Sequence, residues 1–104
     1  MDKKAALKLS LGYLAKVKNS DIRFSEAWLF GSYVKENQHN DSDIDIAIVL
    51  EDGIKKTFET EVKLMVIRSG EETLIEPHAF TKDEFNSAMP IPNQIIKNGE
   101  RIKV

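Results

Sequence analysis

The sequence contains no cysteine, and it has only three prolines and five glycines among its 104 residues. Without cysteine, the chain can form neither disulfide bonds nor thiolate zinc sites. Two histidines, His39 and His78, make a poor metal cluster. A hard cation bound by oxygen atoms is therefore the kind of metal that this composition still allows.

Long apolar runs are also absent. No segment approaches the roughly 18 to 20 apolar residues that span a bilayer, and residues 1–4 lead into a helix-like pattern without the apolar block of a signal peptide. We therefore expect a cytoplasmic protein with no membrane segment. The net charge is −2, so the overall field does not favour long polyanions, and we expect bulk nucleic acid to be an unlikely partner.

The composition that remains is that of an ordinary folded protein, with 41% hydrophobic and 31% charged residues. A chain of 104 residues is large enough for one hydrophobic core, so we predict a single domain over residues 1–104. Such a chain has no room for a second lobe. A site that needs two lobes would have to use a partner protein for the second.

Hydrophobic periodicity alternates between helix and strand along the chain. We predict an α/β (α+β) fold, a mixed β-sheet flanked by helices. Predicted strands lie at 26–30, 42–50, 73–80 and 101–104. Predicted helices lie at 2–19 and around 58–66, the second with Gly70 as its C-terminal cap. A short third helix should begin at a capping box formed by Thr81 and Glu84 and end at Pro90 and Pro92. A last helical turn is predicted at 94–97.

The same periodicity predicts which side chains are buried. One face of the first helix should bury Leu7, Leu11 and Leu14. The second helix should bury Phe58, Val62, Met65 and Val66, and Trp28 should pack in the core as part of an apolar strand.

Asp43 and Asp45 begin a strand rich in isoleucine and valine. Side chains two positions apart in a strand point to the same face, with Cα atoms about 6.5 Å apart. Two carboxylates at close range repel each other, and a divalent cation between them converts that repulsion into binding. Mg²⁺ is the natural occupant, and because it is usually completed by substrate phosphates, the missing ligand is expected to be a nucleotide.

Gly31 and Ser32 end the preceding predicted strand, and Ser32 lies eleven positions before Asp43. A glycine there lets the backbone approach a ligand closely, and a serine that begins a helix offers a hydroxyl and N–H donors to an anion. The spacing allows a helical turn and a return loop, so this phosphate cradle and the two carboxylates can face one crevice.

Gly31-Ser32, followed by Ser42-Asp43-Ile44-Asp45 and an aliphatic strand, resembles the signature of the DNA polymerase β-like nucleotidyltransferase superfamily. A chain this short most resembles the minimal nucleotidyltransferase (MNT) group, whose members often pair with a helical HEPN partner. The resemblance implies that Asp43 and Asp45 bind Mg²⁺, and that Gly31 and Ser32 bind the nucleotide phosphate.

In the same family a third carboxylate on a later strand completes the metal site. We assign Glu76 to this role, because its strand position fits and Pro77 holds it extended. Glu76 would also act as the general base for the attacking hydroxyl. Lys35 stands where the family often has arginine, and Asn37 near where it often has glycine. Asp41 is interpreted as a turn residue, and His78 as a polar strand residue on the same face as Glu76.

The resemblance implies transfer of AMP from ATP to a hydroxyl group, with a tyrosine of a HEPN toxin as acceptor, so that the chain would act as an antitoxin. Two alternatives stay open. A small-molecule nucleotidyltransferase that modifies antibiotics would share the metal site, although such enzymes normally carry an added helical region. A non-catalytic module would retain the motif to bind a nucleotide or a partner.

Overall fold

The computed structural model describes residues 1–35 and 42–104, so Asn37, His39 and Asp41 lie outside the described residues. The helices are α1 (Lys3–Lys18), α2 (Ser32–Lys35), α3 (Phe58–Val66) and α4 (Pro90–Asn98), and a 3₁₀ helix spans Gly70–Leu74. The strands are β1 (Phe24–Phe30), β2 (Ile44–Leu50), β3 (Ile75–Phe80) and β4 (Glu100–Ile102). Within this described part, no helix has the length and apolarity needed to cross a membrane.

The four strands form one mixed sheet in the order β3-β2-β1-β4. Strand β1 runs antiparallel to both β2 and β4, whereas β2 and β3 are parallel. A parallel pair needs a crossover connection, which α3 and the 3₁₀ helix provide. The predicted mixed sheet with flanking helices is confirmed.

One face of the sheet packs against α1 and α3 and forms the hydrophobic core. Strand side chains alternate between faces, so every second residue of β1 and β2 points into this core. The fully buried side chains of the core include Leu29, Tyr13, Leu14, Val17, Ile44, Ile46, Ile48, Leu50 and Leu64. The opposite face is the one that carries the functional residues described below.

Helix α1 has the predicted limits. The Asp2 carboxylate accepts a hydrogen bond from the Ala5 N–H at 2.8 Å, and Asn19 follows the last turn. The predicted buried face is only partly correct, because Leu14 is buried but Leu11 is 43% exposed. The helix is rotated so that Tyr13 points inward, where its hydroxyl donates a hydrogen bond to the Leu64 carbonyl of α3.

The predicted core face of α3 is wrong. Phe58, Val62, Met65 and Val66 are 80%, 38%, 45% and 73% exposed, and Leu64 is the buried residue of this helix. Periodicity shows that the four residues share a face, but the sheet meets the other side of the helix. The helix also ends at Val66, before Gly70.

Gly70 begins the 3₁₀ helix with φ of +59°. This glycine therefore starts a helix, where the sequence pattern predicted that it would cap the end of one. As a result the extended segment predicted over 73–80 starts at Ile75, after the 3₁₀ helix.

The predicted helix after Thr81 is also wrong. The capping-box bonds form, with the Thr81 N–H donating to Glu84 Oε1 at 2.9 Å and the Glu84 N–H donating to Thr81 Oγ1 at 3.2 Å. Only turns follow them, up to Met89. Pro90 begins α4 instead of ending a helix, since proline is well suited to a first helical turn whose N–H groups have no intrahelical partner. The predicted turn at 94–97 is part of this longer helix.

Candidate functional site

The face of the sheet opposite α1 carries carboxylate and aromatic side chains in cross-strand rows. In one row Asp45 of β2 lies between Phe30 of β1 and Glu76 of β3. In the next row Ala47 lies between Trp28 and His78. Residues paired in this way lie on the same face of a sheet, so Asp45 and Glu76 are side by side at one end of it.

Gly31 lies directly against Asp45. Its φ is +79°, and a Cβ atom at this position would overlap Asp45 Oδ2. The Gly31 carbonyl accepts hydrogen bonds from the N–H groups of Val34 and Lys35, both at 3.2 Å, which starts α2. Glycine therefore does two things here: it allows the left-handed turn from β1 into α2, and it leaves room for a carboxylate against the backbone.

His78 contacts Asp45 across the two parallel strands. Its Nε2 lies 3.1 Å from Asp45 Oδ1, and the Phe30 ring packs against the imidazole edge-on, with ring centroids 5.1 Å apart. The imidazole and the ring together limit the directions that the Asp45 carboxylate can take. The sequence placed His78 on the face of Glu76 but did not predict this contact with Asp45, because the contact depends on the β2–β3 register.

Asp43 differs from Asp45 in its position relative to β2 and in its exposure. Strand β2 begins at Ile44, so Asp43 precedes the strand and is exposed, whereas Asp45 lies within it. Ser32 is the first residue of α2, next to Gly31. Among the described residues, no group of three or more acidic, histidine or cysteine side chains is arranged to hold a metal ion. Gly31, Asp45, Glu76 and His78 are the residues that the fold clearly brings together.

Trp28 lies on this same face and is half-buried, outside the core predicted for it. Its indole N–H donates to Glu26 Oε1 at 2.8 Å. The Phe85 ring lies 6.0 Å from the indole and 5.4 Å from the Phe80 ring, measured between centroids. The segment between β3 and α4 thus covers the end of the face that is farther from Asp45.

A groove of about 260 Å³ lies between α2 and α4, beside Gly31. Its lining residues are Phe30, Gly31, Val34, Lys35, Ile91, Gln94, Ile95, Asn98 and Gly99. No pattern in the sequence indicates this groove, because α2 and α4 are far apart in the chain and only the folded sheet brings them together.

A known protein family matches most of this chain. The family model described as "Polymerase beta, Nucleotidyltransferase" matches residues 14–103. No curated protein matches the chain significantly.

Three solved structures share the fold. A "putative nucleotidyltransferase" from Sulfolobus solfataricus superposes with a TM-score of 0.68 at 18% identity, over 95% of this chain and 80% of that one. A toxin–antitoxin complex with AMP-PNP gives a TM-score of 0.58 at 21% identity, over 86% and 68% of the two chains.

The third is a mutant of the toxin–antitoxin pair MntA–HpeT in which two aspartates, two positions apart, are changed to glutamate. It gives a TM-score of 0.58 at 18% identity, over 88% of this chain and 70% of that one. These likenesses establish the fold, and the family model, which spans most of the chain, establishes the family. The chain belongs to the polymerase beta nucleotidyltransferase family.

Proposed function

We propose that this chain is a Mg²⁺-dependent nucleotidyltransferase that transfers AMP from ATP to a tyrosine hydroxyl of a HEPN-type partner toxin, and so acts as an antitoxin. The observation that carries the proposal is the placement of Gly31 against Asp45, with Glu76 beside Asp45 on the same face. A glycine that leaves space for one carboxylate, next to a second carboxylate and a helix start, suits the binding of a metal–triphosphate complex.

The proposed ligands of Mg²⁺ are Asp43, Asp45 and Glu76. They fit this ion in chemistry, since all three offer carboxylate oxygens, the hard ligands that Mg²⁺ prefers. In position, Asp45 and Glu76 are cross-strand neighbours, and the absence of a Cβ at Gly31 makes room for the Asp45 carboxylate against the backbone. Asp43 precedes β2, and the three carboxylates do not converge on one point in the described structure, so binding of the ion would have to draw them together. When bound, Mg²⁺ would neutralise charge on the phosphate oxygens and stabilise the charge that develops on the departing pyrophosphate.

The chain's own residues would perform the remaining steps. Ser32 and the adjoining backbone N–H groups would hold the triphosphate. The acceptor oxygen would attack the α-phosphorus while the bond from that phosphorus to the bridging oxygen breaks, which releases pyrophosphate. Glu76 would accept the proton from the attacking hydroxyl, and His78 would keep the Asp45 carboxylate in place through their 3.1 Å contact.

Two considerations support a protein acceptor. The described residues form one four-stranded sheet with its helices, and among them no second lobe faces Asp45 to bind an acceptor. Two of the structural neighbours are toxin–antitoxin complexes, one of them with AMP-PNP and the other a mutant altered at a pair of aspartates with the spacing of Asp43 and Asp45. AMP-PNP is an analogue of ATP, which also favours ATP as the nucleotide.

Co-expression with a HEPN-type partner tests the proposal. The intact mass of the partner should rise by one or more AMP units with the wild-type chain. With Asp45→Asn the partner should stay unmodified while the two proteins still form a complex. Asp52→Asn is a matched control, because Asp52 is an exposed turn residue whose nearest cation, Lys82, is 3.9 Å away; it should leave modification intact.

The outcome would also distinguish the alternatives. A folded complex in which the toxin is neutralised but carries no added mass would contradict the transferase and favour a module that acts by contact. Modification of an aminoglycoside by the isolated chain would instead favour a small-molecule transferase.

A further inference from the structure

The groove between α2 and α4 is continuous with the candidate active site. Gly31 contributes to its wall and also lies against Asp45. Phe30 contributes a second wall and is the cross-strand partner of Asp45. A molecule in this groove would therefore lie beside the carboxylate that is proposed to bind the metal–triphosphate complex.

The fold holds α4 tightly in this position. A Cβ atom at Gly99 would overlap the carbonyl oxygen of Ile95 and press closely on that of Leu29 in β1, so glycine suits the close approach of the end of α4 to β1. Ile95 is buried at this contact. The α4 wall of the groove therefore has a defined distance from the α2 wall.

The lining combines apolar surfaces with two carboxamides and with Lys35 at the α2 wall. Phe30, Val34, Ile91 and Ile95 provide the apolar surfaces, and Gln94 and Asn98 lie one turn apart on the same side of α4. A carboxamide both donates and accepts hydrogen bonds, so it can pair with the edge of a nucleobase, and with adenine in particular it can form two bonds. The volume of about 260 Å³ is below that of a typical pocket for a drug-sized ligand and suits a single heterocycle.

We infer that this groove is the site for the base of the nucleotide, and that Gln94 and Asn98 determine which base is accepted. The inference rests on the proposed function, since it assumes that a nucleoside triphosphate binds beside Asp45. A planar base would pack between Phe30 and the isoleucines of α4, with its edge toward the carboxamides. The edge of a base offers donors and acceptors at fixed positions, which suits two carboxamides one turn apart, whereas a tyrosine of a partner offers a single oxygen to both.

Calorimetric titration in Mg²⁺ with inorganic triphosphate, ATP, GTP, CTP and UTP tests the inference. The wild-type chain should bind ATP more tightly than inorganic triphosphate and than the other three nucleotides. In Gln94→Met and in Asn98→Leu, the preference for ATP should fall about tenfold, while the affinity for inorganic triphosphate should not change. Asn93→Leu is the control and should retain the preference, because Asn93 is a carboxamide of α4 that does not line the groove.

The possible failures are distinguishable. Equal affinity for ATP and inorganic triphosphate in the wild type would overturn the base site, and so would an unchanged base preference in both folded variants. Asp45→Asn should abolish Mg²⁺-dependent binding of inorganic triphosphate, which depends on the proposed metal site and not on the groove. If neither triphosphate nor ATP binds to the wild-type chain, the proposed function fails and the base site fails with it.

Discussion

The two sides of β2 differ sharply in composition. Toward α1, the strand places Ile44, Ile46, Ile48 and Leu50, none of which is exposed to solvent. Toward the other face it places Asp45, Ala47 and Val49. On that second side the side chain of Asp45 is 27% exposed and contacts His78, whereas Ala47 and Val49 are buried.

The comparison shows that one strand serves stability on one side and the candidate chemistry on the other. Burial of large aliphatic side chains is the main favourable contribution to folding, and the row facing α1 supplies it. Carboxylates cost free energy when they lose water, so Asp45 and Glu76 lie at the strand end that solvent reaches. Substitutions on the side facing α1 should therefore lower stability, whereas substitutions on the other side should mainly affect ligand binding.

The largest effect on folding is expected for Ile46→Ala. Ile46 is fully buried in the core, and its truncation should lower the free energy of unfolding by about 2–5 kcal/mol, because it removes apolar contacts and leaves a cavity. Urea denaturation measures this loss. Asp45→Asn, one position away on the other side, should change the free energy of unfolding by no more than about 1 kcal/mol, because the amide has the shape of the carboxylate and can keep one hydrogen bond to His78. A comparable loss of stability in both variants would contradict the division between the two sides.

Gly31→Ala should lower the free energy of unfolding less than Ile46→Ala does, but it should strongly weaken the Mg²⁺-dependent binding of triphosphate. A positive φ costs an alanine about 1–3 kcal/mol, and the new Cβ would also displace the Asp45 carboxylate. Gly53→Ala is a matched control, since Gly53 has a φ of +88° with open space around it. Both variants should lose stability in chemical denaturation, but only Gly31→Ala should lose Mg²⁺-dependent binding of triphosphate. Loss of binding in Gly53→Ala as well would contradict a specific role for Gly31.

Much of the fold was predictable from the sequence, because it depends on local signals. Local patterns predict the Asp2 cap, the limits of α1 and the isoleucine-rich strand β2, and the structure confirms all three. The orientation of α3 was not, since its exposed row of Phe58, Val62, Met65 and Val66 has the same spacing as a buried row. Which side of a helix meets the sheet is decided by tertiary packing, and a single sequence does not record it.

The candidate site also has a part that the sequence predicts and a part that depends on tertiary packing. Residue type and spacing point to Gly31 and Asp45, the family resemblance implies a third carboxylate such as Glu76, and the fold places Gly31 and Glu76 next to Asp45. The contact of His78 with Asp45 depends on the parallel register of β2 and β3. The groove beside α4 depends on the packing of a helix some sixty positions away from Gly31, and no local pattern encodes such a distance.

Two buried tyrosines on the helix-covered side differ in the hydrogen bonding of their hydroxyl groups. The Tyr13 hydroxyl donates to the Leu64 carbonyl and so links α1 to α3, whereas the Tyr33 hydroxyl is buried without a hydrogen-bond partner among residues 1–35 and 42–104. Tyr13→Phe should lower the free energy of unfolding by about 1 kcal/mol, because it leaves the carbonyl unpaired. Tyr33→Phe should leave stability equal or slightly higher. Thermal unfolding of the two variants measures the difference, and equal losses would show that the Tyr33 hydroxyl also has a bonding role.

The smallest effect is expected at Glu72, a buried carboxylate on the helix-covered side. Burial raises the pKa of Glu72, but the hydrogen bonds from Lys16 Nζ and the Ser69 N–H, with the charge of Lys16, outweigh burial and hold the pKa below its ordinary value of 4.5. A carboxyl group whose pKa is lower in the folded state stabilises the protein above the unfolded-state pKa, and this contribution is lost as the pH falls through the folded-state pKa. Glu72→Gln should therefore show a weaker fall in melting temperature than the wild type as the pH drops below 4.5. Parallel pH profiles of the two proteins would mean that the acid sensitivity of this domain arises from other carboxylates. The carboxylates on the face opposite α1 would then contribute to stability as well as to the proposed chemistry.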